Sequence, residues 1–193
     1  TISNEIVINP VEDIVLTIDE SAAIINCNGQ STALIEATAT GGLGNYQYGL
    51  FGDLGLTNVI RPYSSSDTFA DLPQGTYFVS VQSEDCQTTS TAIVIDEPTP
   101  LVVHPTITDI SCNGAEDGSI VLDVSGGTAN YQYAISPNLN QFDDSNIFTG
   151  LSAGMYDVIV QDSEGCFELI EFEITEPTTL EMEYTSTPEI CAG

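Results

Sequence analysis

The amino-acid sequence predicts an all-β fold made of tandem β-sandwiches, on three observations. Apolar and polar residues alternate over short segments such as Ile120–Val124, which is typical of strands with one buried face. Gly, Pro and Asn punctuate these segments, and no window carries a helical stripe. The pattern also recurs along the chain. Because each copy of some 80 residues holds about seven short strands, we expect immunoglobulin-like sandwiches arranged end to end.

The recurrence defines the predicted domains. Residues 41–48 (GGLGNYQY) return as 126–133 (GGTANYQY), a shift of 85. Later residues shift by 79, since Leu72 and Tyr77 return as Leu151 and Tyr156. The six extra residues of the first copy lie between Tyr48 and Leu72. Such periods indicate an array. The predicted parts are the last strand of a preceding repeat (1–10), two immunoglobulin-like repeats (11–97 and 98–176) and the start of a following repeat (177–193).

The penultimate strand of each copy begins with a tyrosine. Tyr77 and Tyr156 each follow a Gly turn within the pattern Leu-x-x-Gly-x-Tyr. This placement predicts a tyrosine corner, in which the phenol hydroxyl bonds back to the chain.

The amino-acid composition and charge exclude some classes of function. The chain has 29 Asp and Glu, no Lys, a single Arg61 and a single His104, for a formal charge of −28. Nucleic acid is excluded as a partner because phosphates would be repelled. No run of 18 apolar residues or charged-then-apolar leader is present, so we expect no membrane insertion and no signal peptide.

The motif order resembles a known family. Cys-Asn-Gly, Asp-Gly-Ser-Ile, Gly-Gly-x-x-x-Tyr-x-Tyr, Gly-Leu-x-x-Gly-x-Tyr-x-Val-x-Val-x-Asp-x-x-Gly-Cys and Thr-Glu-Pro follow one another most completely in the second copy. This order is similar to the SprB repeat of gliding-motility adhesins, large surface proteins of Bacteroidetes exported by type 9 secretion. The first copy departs from it, with Gln30-Ser31-Thr32 in place of Ala115-Glu116-Asp117.

The resemblance implies a location and a role. It implies a cell-surface, outer-membrane-associated stalk whose partners are the neighbouring repeats of the same chain and an external surface or glycan. The predicted function is a structural stalk segment in gliding motility and surface attachment, without enzyme activity. Two alternatives stay open: a carbohydrate- or surface-binding module, and spacer repeats of a secreted enzyme.

Five cysteines are predicted to form disulfides, because they lack CxxC spacing and a nearby His. They are Cys27, Cys86, Cys112, Cys166 and Cys191. Within one repeat, the cysteine before strand B and the cysteine after strand F fall at opposite ends of a sandwich. Disulfide Cα atoms must lie within about 7 Å. The inter-repeat pairing Cys27–Cys166 is therefore slightly preferred over the within-repeat pairings Cys27–Cys86 and Cys112–Cys166, which stay open.

Acidic loops raise the question of calcium. The candidate ligands are Asp109, Glu116, Asp117, Asp162 and Glu164, since carboxylates in loops suit Ca²⁺. The EF-hand spacing is missing, and the first copy has Ser31 and Thr32 where the second has Glu116 and Asp117. Solvated acidic turns are the preferred interpretation, so no cofactor is expected, with calcium as the alternative.

Aromatic and catalytic candidates are few. Tyr46, Tyr48, Tyr131 and Tyr133 form i, i+2 pairs, and such a pair faces one side of a sheet. We expect that side to be the core rather than a sugar platform. His104 has no counterpart in the other copy, so no Ser-His or Cys-His machinery is predicted. Arg61, in the six-residue insertion, is predicted to be a surface residue.

Overall fold

The computed structural model describes residues 11–186 and confirms an all-β, immunoglobulin-like architecture. Its described residues divide into two compact units. The first consists of residues 11–100 with 126–128, and the second of residues 101–125 with 129–186. The predictions for residues 1–10 and 187–193, Cys191 included, concern residues outside the described range.

The first unit consists of two antiparallel sheets packed face to face. One sheet has the strand order β1-β2-β5, and the other has the order β4-β3-β6-β7 with β8 also pairing β6. The strands are β1 (Val15–Asp19), β2 (Ala33–Thr40), β3 (Gln47–Phe51), β4 (Val59–Ser64), β5 (Thr68–Leu72), β6 (Gly75–Ser83), β7 (Cys86–Thr89) and β8 (Ile93–Ile95).

The second unit repeats this plan without a counterpart of β4 among its described residues. Its sheets have the orders β12-β10-β9 and β11-β13-β14. The strands are β9 (Val102–Thr108), β10 (Gly118–Ser125), β11 (Gln132–Ile135), β12 (Ile147–Leu151), β13 (Gly154–Gln161) and β14 (Phe167–Ile174).

The core of each unit follows the alternation in the sequence. Ile120 and Leu122 on β10 and Val158 and Val160 on β13 are fully buried. The residues between them face outward, as a period of two requires. Burial of such side chains is worth about 1.5–3 kcal/mol each, so the two clusters supply the main stabilisation of the two units.

The six-residue insertion of the first copy contains strand β4. Residues Val59–Ser64 pair with β3 as an edge strand, a position that tolerates Pro62. The equivalent stretch of the second unit carries Ser136-Pro137-Asn138 and forms turns. Arg61 is exposed on β4, as expected.

Both tyrosine corners are present. The Tyr77 hydroxyl donates to the Pro73 carbonyl oxygen at 2.8 Å, and the Tyr156 hydroxyl donates to the Ser152 carbonyl oxygen at 3.0 Å. Tyr77 is buried, and burial raises the pKa of its phenol. Each bond fixes the turn that leads into strand β6 or β13.

Removal of either corner hydroxyl should lower stability. Tyr77→Phe leaves the buried Tyr77 ring without its hydrogen bond to the Pro73 carbonyl oxygen, so we expect the free energy of unfolding of the first unit to fall by about 1 kcal/mol. Tyr156→Phe should cost less, because Tyr156 is more exposed. Urea denaturation measures both, with Tyr184→Phe as control since Tyr184 is 86% exposed. A Tyr77→Phe loss no larger than that of the control would contradict the corner's role.

Candidate functional site: the loops that hold the linkers

The Cys-Asn-Gly loop of the first unit forms hydrogen bonds with the Glu-Pro linker that follows this unit. The Asn28 side-chain amide donates to Glu97 Oε1 and to the Pro98 carbonyl oxygen, both at 3.0 Å. The Gly29 amide donates to Glu97 Oε2 at 2.7 Å. Gln74 adds a third donor to this carboxylate, at 2.7 Å from Glu97 Oε1. We call this arrangement the Asn-Gly clasp.

The second unit builds the same clasp from the equivalent residues. The Asn113 side-chain amide donates to the Pro177 carbonyl oxygen at 3.1 Å, and the Gly114 amide donates to Glu176 Oε2 at 3.0 Å. Gly29 and Gly114 have φ values of 76° and 77°, which only Gly adopts without strain. The left-handed turn therefore aims the amide at the carboxylate.

A second pair of glycines holds the other half of the linker. The Gly127 amide donates to the Thr99 carbonyl oxygen at 2.9 Å, and Gly42 donates to the Glu12 carbonyl oxygen at 2.8 Å. At Gly126 a Cβ would overlap the Pro100 carbonyl oxygen. Residues 97–100 are thus bonded by Asn-Gly on one side and by Gly-Gly on the other.

The sequence alone did not reveal the clasp. Its signal was present, because Cys-Asn-Gly and Glu-Pro occur together in both copies. The contact joins residues 62 to 70 positions apart, however, and a single sequence does not show which distant motifs meet.

The predicted calcium ligands instead cap loops of the protein. Asp117 accepts from the Ser111 amide at 3.0 Å and the Ser111 hydroxyl at 2.6 Å, and these bonds hold the pKa of its carboxyl below the usual range. Asp109 accepts from the Thr175 amide at 2.7 Å. Glu116 is exposed.

Asp162 and Glu164 lie at the other end of the second unit. Asp162 is 5% exposed, and its Oδ1 accepts from the amides of Glu164 and Cys166. This turn follows β13, whereas Asp109 and Asp117 lie beside the start of β13. Eight strand residues place the two groups about 25 Å apart. Among residues 11–186, no three His, Cys, Asp or Glu side chains are grouped to hold a metal ion.

The cysteines fall into two states. Cys27 and Cys166 are disulfide-bonded, whereas Cys86 and Cys112 are exposed free thiols. This is the pattern that the preferred pairing predicts, and the within-repeat pairings Cys27–Cys86 and Cys112–Cys166 are wrong. The reason is the strand topology, because Cys112 precedes β10 while Cys166 follows β13, at opposite ends of the same sandwich.

The remaining candidates are the paired tyrosines and the single histidine. Tyr48 and Tyr133 are buried, and Tyr46 and Tyr131 pack against the same cores, so the prediction of core tyrosines is confirmed. Their burial argues against a sugar platform. His104 is exposed on β9, opposite Asp123.

Comparison with known families bears on the loops just described. The family model of the SprB repeat matches residues 25–51 and 105–140. The SprB repeat is thus detected at two regions of the chain. Each match includes the Cys-Asn-Gly loop and the Gly-Gly turn of one copy. The SprB repeat family is one of cell-surface proteins, and no curated protein matches the chain.

Solved structures of other proteins show a general likeness to this chain. The C-terminal 282-residue fragment of intimin, solved with the intimin-binding domain of its translocated receptor, is 17% identical with a TM-score of 0.43. That alignment covers 86% of this chain and 64% of the fragment, less than two thirds of its length. The amphioxus IgVJ-C2 molecule is 10% identical, with a TM-score of 0.32 and coverage of 86% and 98%.

DIP-gamma IG1+IG2 is a third such structure. It is 12% identical, with a TM-score of 0.39, over 85% of this chain and 97% of that one. The strand orders above, rather than these scores, establish the sandwich. In the described part of the chain, no helix has both the length and the apolar character to cross a membrane.

Removal of a clasp amide should loosen the linker. Asn28→Ala deletes two hydrogen bonds, so we expect about 0.5–1 kcal/mol less protection of the Gly29 amide and its neighbours against hydrogen exchange. Asn113→Ala should produce a similar change at Gly114. Asn140→Ala is the control, since Asn140 is an exposed turn residue. Equal exchange in Asn28→Ala and the control would show that the clasp does not order the linker.

Loss of the Ser111 hydroxyl should raise the pKa of Asp117. The hydrogen bonds depress this pKa below its ordinary 3.8, so their stabilising effect is present above the ordinary value and is lost as pH falls through the folded one. Ser111→Ala should move the pKa part of the way back, because the Ser111 amide remains. Carboxyl NMR titration measures it, with Ser119→Ala as control. An unchanged Asp117 pKa in Ser111→Ala would contradict the loop-cap role.

Proposed function

We propose that this chain is a structural segment of the stalk of a cell-surface adhesin, used in surface attachment and gliding motility. The observation that carries the proposal is the linker held on both sides. Glu97 and Pro98 bond to Asn28 and Gly29, and Thr99 bonds to Gly127. A bonded linker resists bending, and a stalk that projects a distal region needs that property.

The SprB repeats and the immunoglobulin-like fold support this role. The resemblance to gliding-motility adhesins also supports export by type 9 secretion and attachment at the outer membrane. The net charge of −28 favours solubility and opposes bundling of neighbouring stalks. Weak contacts that recur along one filament would add through avidity.

Residues 177–186 support continuation of the array. They follow the second Glu-Pro as residues 98–107 follow the first, with Leu180 and Met182 at the positions of Leu101 and Val103. Leu101 and Val103 pack against the core of the second unit, whereas Leu180 and Met182 are 95% and 85% exposed. We propose that these two residues form the inner face of the first strand of a further sandwich.

The free thiols fit the same array. Cys112 is equivalent to Cys27 by the 85-residue shift, and Cys86 is equivalent to Cys166, 80 residues later, because the second copy has one extra residue, Gly165, before the cysteine. Since Cys27 and Cys166 are disulfide-bonded, we propose that Cys112 bonds to the following repeat and Cys86 to the preceding one. Such bonds would maintain the length of a stalk under load.

Extension of the chain tests the stalk directly. Copies of residues 98–176 are appended after residue 176, one, two and four at a time. Each copy should add a constant step of roughly 30 Å, the length of a sandwich with strands of this size, to the contour length seen by electron microscopy. A length that stops growing as copies are added would refute the stalk.

Disulfide mapping of the one-copy extension tests the thiols. We expect Cys112 to bond to the residue of the appended copy that is equivalent to Cys166. Digestion requires a Glu-specific protease, because the chain has no Lys and its Arg61 precedes Pro62. Cys112→Ser is the control. A Cys112–Cys166 bond, or a free Cys112, would contradict the proposed linkage.

A further inference from the structure

The outer face of one sheet differs between the two units at equivalent positions. In the first unit, a row across β3, β6 and β7 consists of Gly49, Ser80 and Thr89. The same row across β11, β13 and β14 consists of Ala134, Ile159 and Leu169. The next row changes from Gln47, Gln82 and Gln87 to Gln132, Gln161 and Phe167. Three polar side chains are thus replaced by Ile, Leu and Phe.

The first unit covers this face with its own side chain. The Tyr63 hydroxyl, from β4, donates to Ser80 Oγ at 2.8 Å and accepts from the Gln87 amide at 2.8 Å. The ring can lie across β3 because Gly49 has no side chain, since a Cβ there would lie 3.2 Å from a Tyr63 ring carbon. Ser80 is fully buried as a result.

The second unit lacks such a cover. Beyond β11, its described residues make an isolated bridge at Asp143 rather than a strand like β4. Leu169 is 56% exposed and Phe167 is 65% exposed. Apolar side chains are therefore exposed to solvent where the first unit has Tyr63 and its hydrogen-bond partners.

Charge indicates what covers this face. Asp157 and Glu171 pair across β13 and β14 on the same face, one row from Leu169. Glu173 lies one row further, opposite Met155. The chain's single Arg is in the first unit, so nothing in the second unit with a permanent positive charge offsets these acids. A partner with basic side chains is complementary to them.

The edge position of β14 favours an extended partner and disfavours a second copy. Within residues 11–186, β14 forms a ladder with β13 alone, so its other edge presents backbone groups for strand addition. Antiparallel pairing of two β14 strands about their centre would place Glu168 opposite Glu173, and directly opposed like charges are destabilising.

We propose that the outer face of β11, β13 and β14 binds an extended cationic segment of another protein, added beside β14. Apolar side chains of that segment cover Phe167 and Leu169, and its Lys or Arg side chains approach Asp157 and Glu171. This recognition surface belongs to the second repeat and not to the first.

Two labelled octapeptides test the surface on the full chain by fluorescence anisotropy. One repeats Lys-Thr-Val-Thr, which places Lys and Val on the same face of an added strand, and the other repeats Lys-Thr-Gly-Thr at the same charge. We expect the Lys-Val peptide to bind about tenfold more tightly, since apolar cover adds to charge attraction. Equal affinities would overturn the proposal, because charge alone would then explain binding.

A double variant carries the residues of the first unit into the second. Phe167→Gln with Leu169→Thr installs residues with which the equivalent strand already folds, and it should abolish the preference for the Lys-Val peptide. Ile147→Thr is the control, since Ile147 is 51% exposed on the other sheet of the same unit. A preserved preference in the double variant, or an equal loss in the control, would overturn the proposal.

Discussion

The carboxylates that order the loops of this chain accept hydrogen bonds from neutral donors, because 29 acids share a single Arg. Amides and hydroxyls supply those donors in the loops around Glu97 and Asp117. Glu97 accepts from Asn28, Gly29 and Gln74, and Asp117 accepts from Ser111. The acids therefore shape the loops and also keep the surface negative.

This constraint connects loop chemistry to the role of the linkers. A linker held by Lys–Asp pairs would weaken in salt, whereas one held by backbone amides and glycine turns depends on local geometry. The clasp around Glu97 uses short donors on a tight turn, so few rotatable bonds must be ordered. The tyrosine corners also use an uncharged donor, since the Tyr77 hydroxyl donates to the Pro73 carbonyl oxygen. The bonds that hold the linker and the corner thus form without cations.

The sequence predicted what depends on local pattern. Alternation located the strands and the buried faces, and the Gly-x-Tyr spacing located both corners. Strand direction also separated Cys112 from Cys166. Asp117 was considered as a calcium ligand because its hydrogen-bond partner, Ser111, is apparent only in the folded loop. The Asn28–Glu97 contact was missed for a similar reason, since its two motifs lie far apart in sequence and meet only through the packing of whole sheets.

Repetition within the chain also separates two kinds of residue. The clasp, the Gly-Gly turn and the corner tyrosine occur in both units, and each stabilises the unit or its linker. Several residues that differ, such as Ser80 against Ile159, lie on an outer face where a change does not disturb the core. The proposed stalk role requires the shared residues in every repeat, because a single weak junction would let the stalk bend. Recognition requires the differing outer-face residues only where a partner binds. A repetitive chain can therefore acquire a specific surface in a single repeat without loss of length.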